Sequence, residues 1–419
     1  MKKMSVSIVL LAVILMLGTG CRSKPAITDP FGFGDIKDIF AGVAGVFVLR
    51  EDNTLWGAGY NRSEQFGLAS PGIASRVELS RINDETGAPF TGAKLVAAGE
   101  NHAVILKEDG TLWGAGGSSF GELGLSEERL GVFTRLKASG SPIDGVKAVT
   151  AGNNSTFYLD RDNSLWASGY NYYGELGLGN RDMLNSFTKI DSAGQNVKAV
   201  AAGIRHTVIL KENGTLWAAG YNFNGQLGLG DTGDRSTFTE VRGAGSDIAA
   251  VGAGNYHTVI LKNDGTVWTA GSNFWGQLGF AGKNDRQSFT RVSDENGNPL
   301  TGVKEIAARG NITVLLKADG SLLLAGNYAD SEGRIDLSSD AEPPASEEAD
   351  QDSDKSSFVS LAVEDGNTRF GGVEKIILGY NSIYVVASDG RLWAAGSNRY
   401  GQLSLDLETE IVSALKLID

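Results

Sequence analysis

Cysteine is all but missing from this chain. Cys21 is the one cysteine among 419 residues, so no disulfide can form within it. The 8 prolines are too few for a Pro-rich linker. Basic residues are outnumbered 37 to 50, for a formal net charge of -13. Binding a phosphate backbone needs clustered Lys and Arg, so no nucleic-acid partner is expected. Helical periodicity is missing throughout, which argues against helical bundles and helix-pair repeats. Glycine, with 57 residues, is what the chain has in excess. Many short strands joined by tight turns require that.

The amino terminus reads as a processing signal. Residues 1–20 open with Lys2 and Lys3, continue through an apolar segment from Val6 to Leu17, and close on the small residues Gly18, Thr19 and Gly20. The apolar part is too short to cross a bilayer, which takes about 20 residues. Cys21 follows at once, an arrangement that resembles the bacterial lipoprotein signal. That resemblance implies lipidation of Cys21, which would become the new amino terminus, and a place in the cell envelope outside the cytoplasm. Gly18 stands where such signals usually carry Leu. Residues 21–35 show no strand pattern and read as a tether.

The rest of the chain repeats one sentence. Its clearest copy runs from Gly203 to Gly228, with His206, Thr207 to Leu210, Asn213-Gly214, Leu216-Trp217 and Gly225-Gln226-Leu227-Gly228. Asn-Gly between two apolar runs signals a β-hairpin, and the type I′ turn expected there needs positive φ at both residues. Matching turn pairs recur at Asp52-Asn53, Asp109-Gly110, Asp162-Asn163, Asp264-Gly265, Asp319-Gly320 and Asp389-Gly390. Seven units follow, starting at 36, 93, 146, 197, 248, 303 and 373, with outer runs such as Phe187-Thr188 and Phe238-Thr239. Each unit offers about four short strands whose sheet has two apolar faces. Packing units around an axis covers both faces, which gives an all-β, seven-bladed β-propeller over residues 36–419. Whether the first and last blades exchange a strand stays open.

The start Ala-Gly-x-x-His-Thr, the Leu-Trp strand and the corner Gly-Tyr-Asn-x-x-Gly-Gln/Glu-Leu-Gly together resemble the repeat of the regulator of chromosome condensation family. The resemblance spans nearly the whole mature chain and implies a seven-bladed propeller. Its eukaryotic namesake implies guanine-nucleotide exchange on a small GTPase. Secreted bacterial members imply a binder of the β-lactamase-inhibitor kind, which covers its target with loop aromatics. The sixth unit departs most: Ala308-Arg309 replaces Ala-Gly, Leu323 replaces Trp, and 338–357 is a loop dense in Asp, Glu, Ser and Pro. Asp350, Asp352 and Asp354 alternate as in a calcium loop, but the Gly at position six and the Glu at position twelve are missing, so no metal site is expected.

Few residues invite chemistry. His102, His206 and His257 share one slot in three units, with Ser155, Thr313 and Ser382 read as its occupants elsewhere. A hydroxyl in that slot suggests a structural hydrogen bond rather than a metal ligand. Gly228-Leu-Gly230-Asp-Thr-Gly233 matches a dinucleotide pattern but precedes no helix, and no cofactor is expected. Gln65, Glu122, Glu175, Gln226, Gln277 and Gln402 alternate between charged and neutral at one position, which suits a hydrogen-bonding corner and not an acid or base. Inside that corner a variable pair reads Ser119-Phe120, Tyr172-Tyr173, Phe223-Asn224, Phe274-Trp275 and Arg399-Tyr400. Equivalent corners in a ring emerge on one face. The candidates for a binding crown there are Ser119, Phe120, Tyr172, Tyr173, Phe223, Phe274, Trp275, Arg399 and Tyr400, with packing against the next blade as the alternative role. The function expected is non-enzymatic recognition of a protein or glycan.

Overall fold

The computed structural model describes residues 36–43, 45–68, 77–125, 128–294, 296–326, 358–361, 373–380, 382–388, 390–398, 403 and 411–417. The signal, the tether with Cys21, the acidic loop 338–357, Arg399 and Tyr400 lie outside the described residues. Among the described residues are seven four-stranded sheets, each built from four strands consecutive in the chain. All strand pairs within them are antiparallel. The chain is a seven-bladed β-propeller. The fourth blade shows the pattern: Val197–Ala202 lies innermost, then His206–Lys211, Leu216–Gly220 and, outermost, Arg235–Glu240. Inner strands of the other blades begin at Ile36, Ala93, Ala148, Ile248, Val303 and Val373.

The apolar strands are continuous because both faces of each sheet are covered. In His206–Lys211, Ile209 packs with the third blade and Val208 and Leu210 pack with the fifth. All three are fully buried. At roughly 1.5–3 kcal/mol for each such side chain, the cores between blades supply the main drive to close the ring. The last join needs no strand exchange. Ile36, Val46 and Val48 of the first blade share a core with Ile377, Tyr384 and Leu392 of the seventh. Lys375 Nζ pairs with Asp38 Oδ1 at 2.5 Å across the same join.

Two details differ from the sequence reading. The hairpins are not type I′, since among the pairs fully within the described residues only the second member has positive φ: Gly214 stands at 80°, and Asn213 is not among the positive-φ residues. Lys211 N donates to Thr215 O and Gly214 N to Lys211 O, which is a type I turn followed by a left-handed bulge residue. The Asn213 carboxamide oxygen accepts from Thr215 N at 3.1 Å and Thr215 Oγ1 at 2.8 Å. That acceptor role, repeated by Asp52, Asp109, Asp264 and Asp319, selects Asp or Asn at those first positions in place of a positive φ, and in the third blade Asp160 takes it instead of Asp162. The second difference is register. Ile312 pairs with Gly326 as His206 pairs with Gly220, so Ile312 fills the histidine slot in the sixth blade and Thr313 lies one residue on.

That shift explains the histidines. His102 Nε2 lies 3.0 Å from Thr156 Oγ1, His206 Nε2 3.1 Å from Thr258 Oγ1, and His257 Nε2 3.0 Å from Thr313 Oγ1. Each bond joins one blade to the next. Thr258 and Thr313 spend their own protons on Gln226 O and Gln277 O. His206 and His257 therefore donate from Nε2, and Nδ1 is left unprotonated and without a partner. Burial holds the imidazoles neutral, down to about 4 for His102 and His206 and about 3 for His257.

Candidate functional site: the corner-loop face

Each corner loop is fixed by its own side chains. Asn222 Oδ1 accepts from Leu227 N at 2.9 Å, and Gln226 Oε1 accepts from Asn224 N at 3.1 Å. Asn171 and Glu175 repeat this with Leu176 N (2.9 Å) and Tyr173 N (2.8 Å), and Asn273 and Gln277 with Leu278 N and Trp275 N (both 2.9 Å). The exchangeable Gln/Glu position is thus a corner brace. Gly228 (φ 69°) closes the loop, and a Cβ there would stand 2.4 Å from the Phe289 ring of the next blade. Only glycine allows that approach.

A loop braced in this way can hold apolar rings in water. Tyr172, Phe223 and Phe274 are 59%, 69% and 51% exposed, Phe120 is 36% exposed, and Ser119 is exposed. The second members of the pairs in the third and fifth blades, Tyr173 and Trp275, are half-buried. Tyr173 reaches across the blade boundary to Tyr221, with ring centroids 4.9 Å apart. Phe120 does the same to Tyr170 at 5.1 Å. First members Tyr172, Phe223 and Phe274 stand outward, and second members Phe120 and Tyr173 reach the neighbouring blade.

The rings join into one band. From Phe120 it passes to Tyr170, to Tyr172 (6.4 Å), to Tyr173 (5.1 Å), to Tyr221 (4.9 Å), and then to Phe223 (6.3 Å) and Tyr256 (6.1 Å). It spans blades two to five. The Arg205 guanidinium lies 4.9 Å from the Tyr173 ring centre, a cation–π contact on the same face. Phe274 and Trp275 form an edge-on pair at 5.0 Å. Tyr170, Tyr221, Tyr256 and Arg205 were not singled out in the sequence, although Gly-Tyr-Asn recurs visibly at Tyr170 and Tyr221. Beneath the band, burial pushes the Glu175 carboxyl up to about 7, with backbone hydrogen bonds and Arg205 opposing.

Inside the band the inner strands surround an axial recess with a cavity of about 70 Å³. Gly152, Gly203, Gly254, Asn255, Arg309 and Tyr380 are among its walls. The face therefore combines a rigid aromatic rim with a narrow polar centre.

Comparison with known proteins agrees with this architecture. Residues 93–122, 146–175, 197–226 and 248–277 match one model of the Regulator of chromosome condensation (RCC1) repeat, and 162–210 and 213–261 match another. Residues 93–122 and 146–277 thus match RCC1 repeats. The ultraviolet-B receptor UVR8 of Arabidopsis thaliana is 30% identical over 201 residues, 48% of this chain and 46% of the receptor. The X-linked retinitis pigmentosa GTPase regulator of Homo sapiens is 34% identical over 134 residues, 31% of this chain and 13% of that protein. The chain thus spans less than half the length of these curated relatives. In fold, the chain is similar to yeast RCC1 (Prp20), solved bound to Kap60, with a TM-score of 0.67 and 17% identity over 96% of this chain and 89% of that one. Human WBSCR16 gives a TM-score of 0.60 and 20% identity over 71% and 78%. At these identities the likeness speaks for the fold.

Proposed function

We propose that this RCC1-repeat propeller is a non-enzymatic recognition module that holds a protein partner on its corner-loop face. The observation that carries this reading is the aromatic band. Apolar rings stand half or more exposed at Tyr172, Phe223 and Phe274, on loops braced by Asn171, Asn222 and Asn273 and not by the rings. Contiguous aromatic surface on a rigid frame is the usual anchor of a protein interface. The names of the relatives, a receptor and a GTPase regulator, suit a protein that acts by binding. Guanine-nucleotide exchange is the second reading, and the GTPase named in that relative favours it. Residues 1–20 speak against it, because an exported chain would not meet a cytoplasmic GTPase.

The test is capture of a partner from the native cell envelope by wild type and by a Tyr172→Ala/Phe223→Ala double variant. Loss of one specific partner with unchanged melting supports the reading. A drop in melting temperature would assign the rings to blade packing instead. Lipid anchoring at Cys21 belongs to the same proposal. Cys21→Ser should move the protein from the membrane fraction to the soluble one, and an unchanged distribution would refute the anchor.

A further inference from the structure

In six blades a glycine directly follows the inner strand, at Gly42, Gly99, Gly152, Gly203, Gly254 and Gly379. The sixth blade ends Val303–Arg309 in arginine. The slot is tight along the ring: a Cβ on Gly203 would stand 2.4 Å from Gly254 O. Arg309 is turned into the axial recess and crosses it. Its Nη2 donates to Ala98 O of the second blade at 2.8 Å, and its Nη1 points to Ala41 O of the first at 3.5 Å. Among the described residues no carboxylate lies within ion-pair distance of Arg309. Burial lowers its pKa to about 10, and only the Tyr380 phenol opposes that shift. Arg309 is half-buried, and a guanidinium partly withdrawn from water without an anion is an unfinished pair.

The surroundings supply neutral partners. Asn255 Nδ2 donates to Tyr380 Oη at 2.8 Å, which leaves the Tyr380 hydroxyl proton free to donate elsewhere. On the rim, Glu100 Oε2 accepts from Asn153 Nδ2 at 3.2 Å, so this acid is held by an amide and not by Arg309. A cavity of about 70 Å³ takes a few waters, each needing ~10–15 Å³ of such space. The same volume admits one carboxylate group and is too small for a nucleotide.

We propose that the axial recess binds a carboxylate, with Arg309 as its charge partner and the Tyr380 hydroxyl as a second donor. The carboxylate has two possible sources: a free small acid, or an acidic side chain or chain end of a polypeptide. The second source rests on the protein-binding reading above, and the first does not.

Titration of the full chain with sodium acetate against sodium chloride, at constant ionic strength and pH 7, tests this. The signal is the Arg309 Nε–H resonance, assigned by its loss in Arg309→Lys. The proposal expects a saturable shift with a millimolar Kd. Arg309→Gln should weaken acetate binding at least tenfold, read by calorimetry or by the acetate-dependent rise in melting temperature. Arg309→Lys should keep a weaker response. A short peptide with a free carboxyl end should displace acetate if the source is a polypeptide, and its amidated form should not; equal failure of both peptides with acetate still bound leaves the free acid as ligand. No saturable response in wild type, or equal affinity in Arg309→Gln, overturns the proposal. So does a lower melting temperature for Arg309→Gly with no acetate response in wild type, which makes Arg309 a bolt across the ring. Partner capture through Tyr172 and Phe223 that persists in that case leaves the protein-binding reading standing.

Discussion

Glu175→Gln should make the protein more stable, and only at neutral to alkaline pH. Glu175 is 3% exposed, and its Oε2 braces Tyr173 N at 2.8 Å while Oε1 has no partner. Burial raises the folded pKa from the ordinary 4.5 to about 7. The folded state thus binds this proton more tightly than the unfolded state, and the stability tied to it is full below pH 4.5 and lost as pH rises through 7. With 1.36 kcal/mol per pKa unit, the loss works out at about 3 kcal/mol at pH 8 and about 1 kcal/mol at pH 5. Glutamine keeps the accepting oxygen and removes the charge. The fourth blade already does this with Gln226, whose Nε2 is likewise unpartnered. Leaving that amide unpaired costs about 1 kcal/mol, so the net gain should be about 2 kcal/mol at pH 8 and near zero at pH 5. Urea unfolding followed by tryptophan fluorescence at both pH values measures it. A variant no more stable than wild type at pH 8, or equally stabilised at both, would refute the reasoning.

Other consequences are brief. The neutral histidines act in the opposite sense. Their folded pKa values lie below the ordinary 6.5, so stability is full above pH 6.5 and falls as pH drops toward 4, by about 2 kcal/mol for His206 at pH 5. His206→Ser, which installs the residue found in that slot at Ser155 and Ser382, should cost about 1 kcal/mol at pH 7.5 by loss of the bond to Thr258. It should also flatten the acid limb of the melting profile, and an unchanged limb would contradict the neutral assignment. Arg309→Gln should lose acetate binding at least tenfold, and Cys21→Ser should leave the membrane fraction, as set out above.

The fold was largely legible because repetition fixes phase: seven turn pairs and one strand pattern leave few arrangements that cover both faces of each sheet. What failed was local. Asn213 looked like a positive-φ residue because Asn-Gly favours type I′ turns, but its side chain caps Thr215 and leaves the bulge to Gly214. Thr313 looked like a substitute for histidine because Ile312, the true occupant, carries no polar group to mark the slot. Tyr170 and Tyr221 were hidden as letters of a motif, since lateral contact between blades leaves no trace along the chain. Arg309 looked like decay of the repeat. Only the geometry of the ring shows that a side chain in that slot must cross the axis.

The central claim is that the rings of the corner-loop face serve recognition and not the fold. Thermal melting of Tyr172→Ala/Phe223→Ala alongside its partner capture tests this most directly. The account predicts a melting temperature equal to wild type together with loss of the captured partner. Lower melting, or full capture by the double variant, would contradict it.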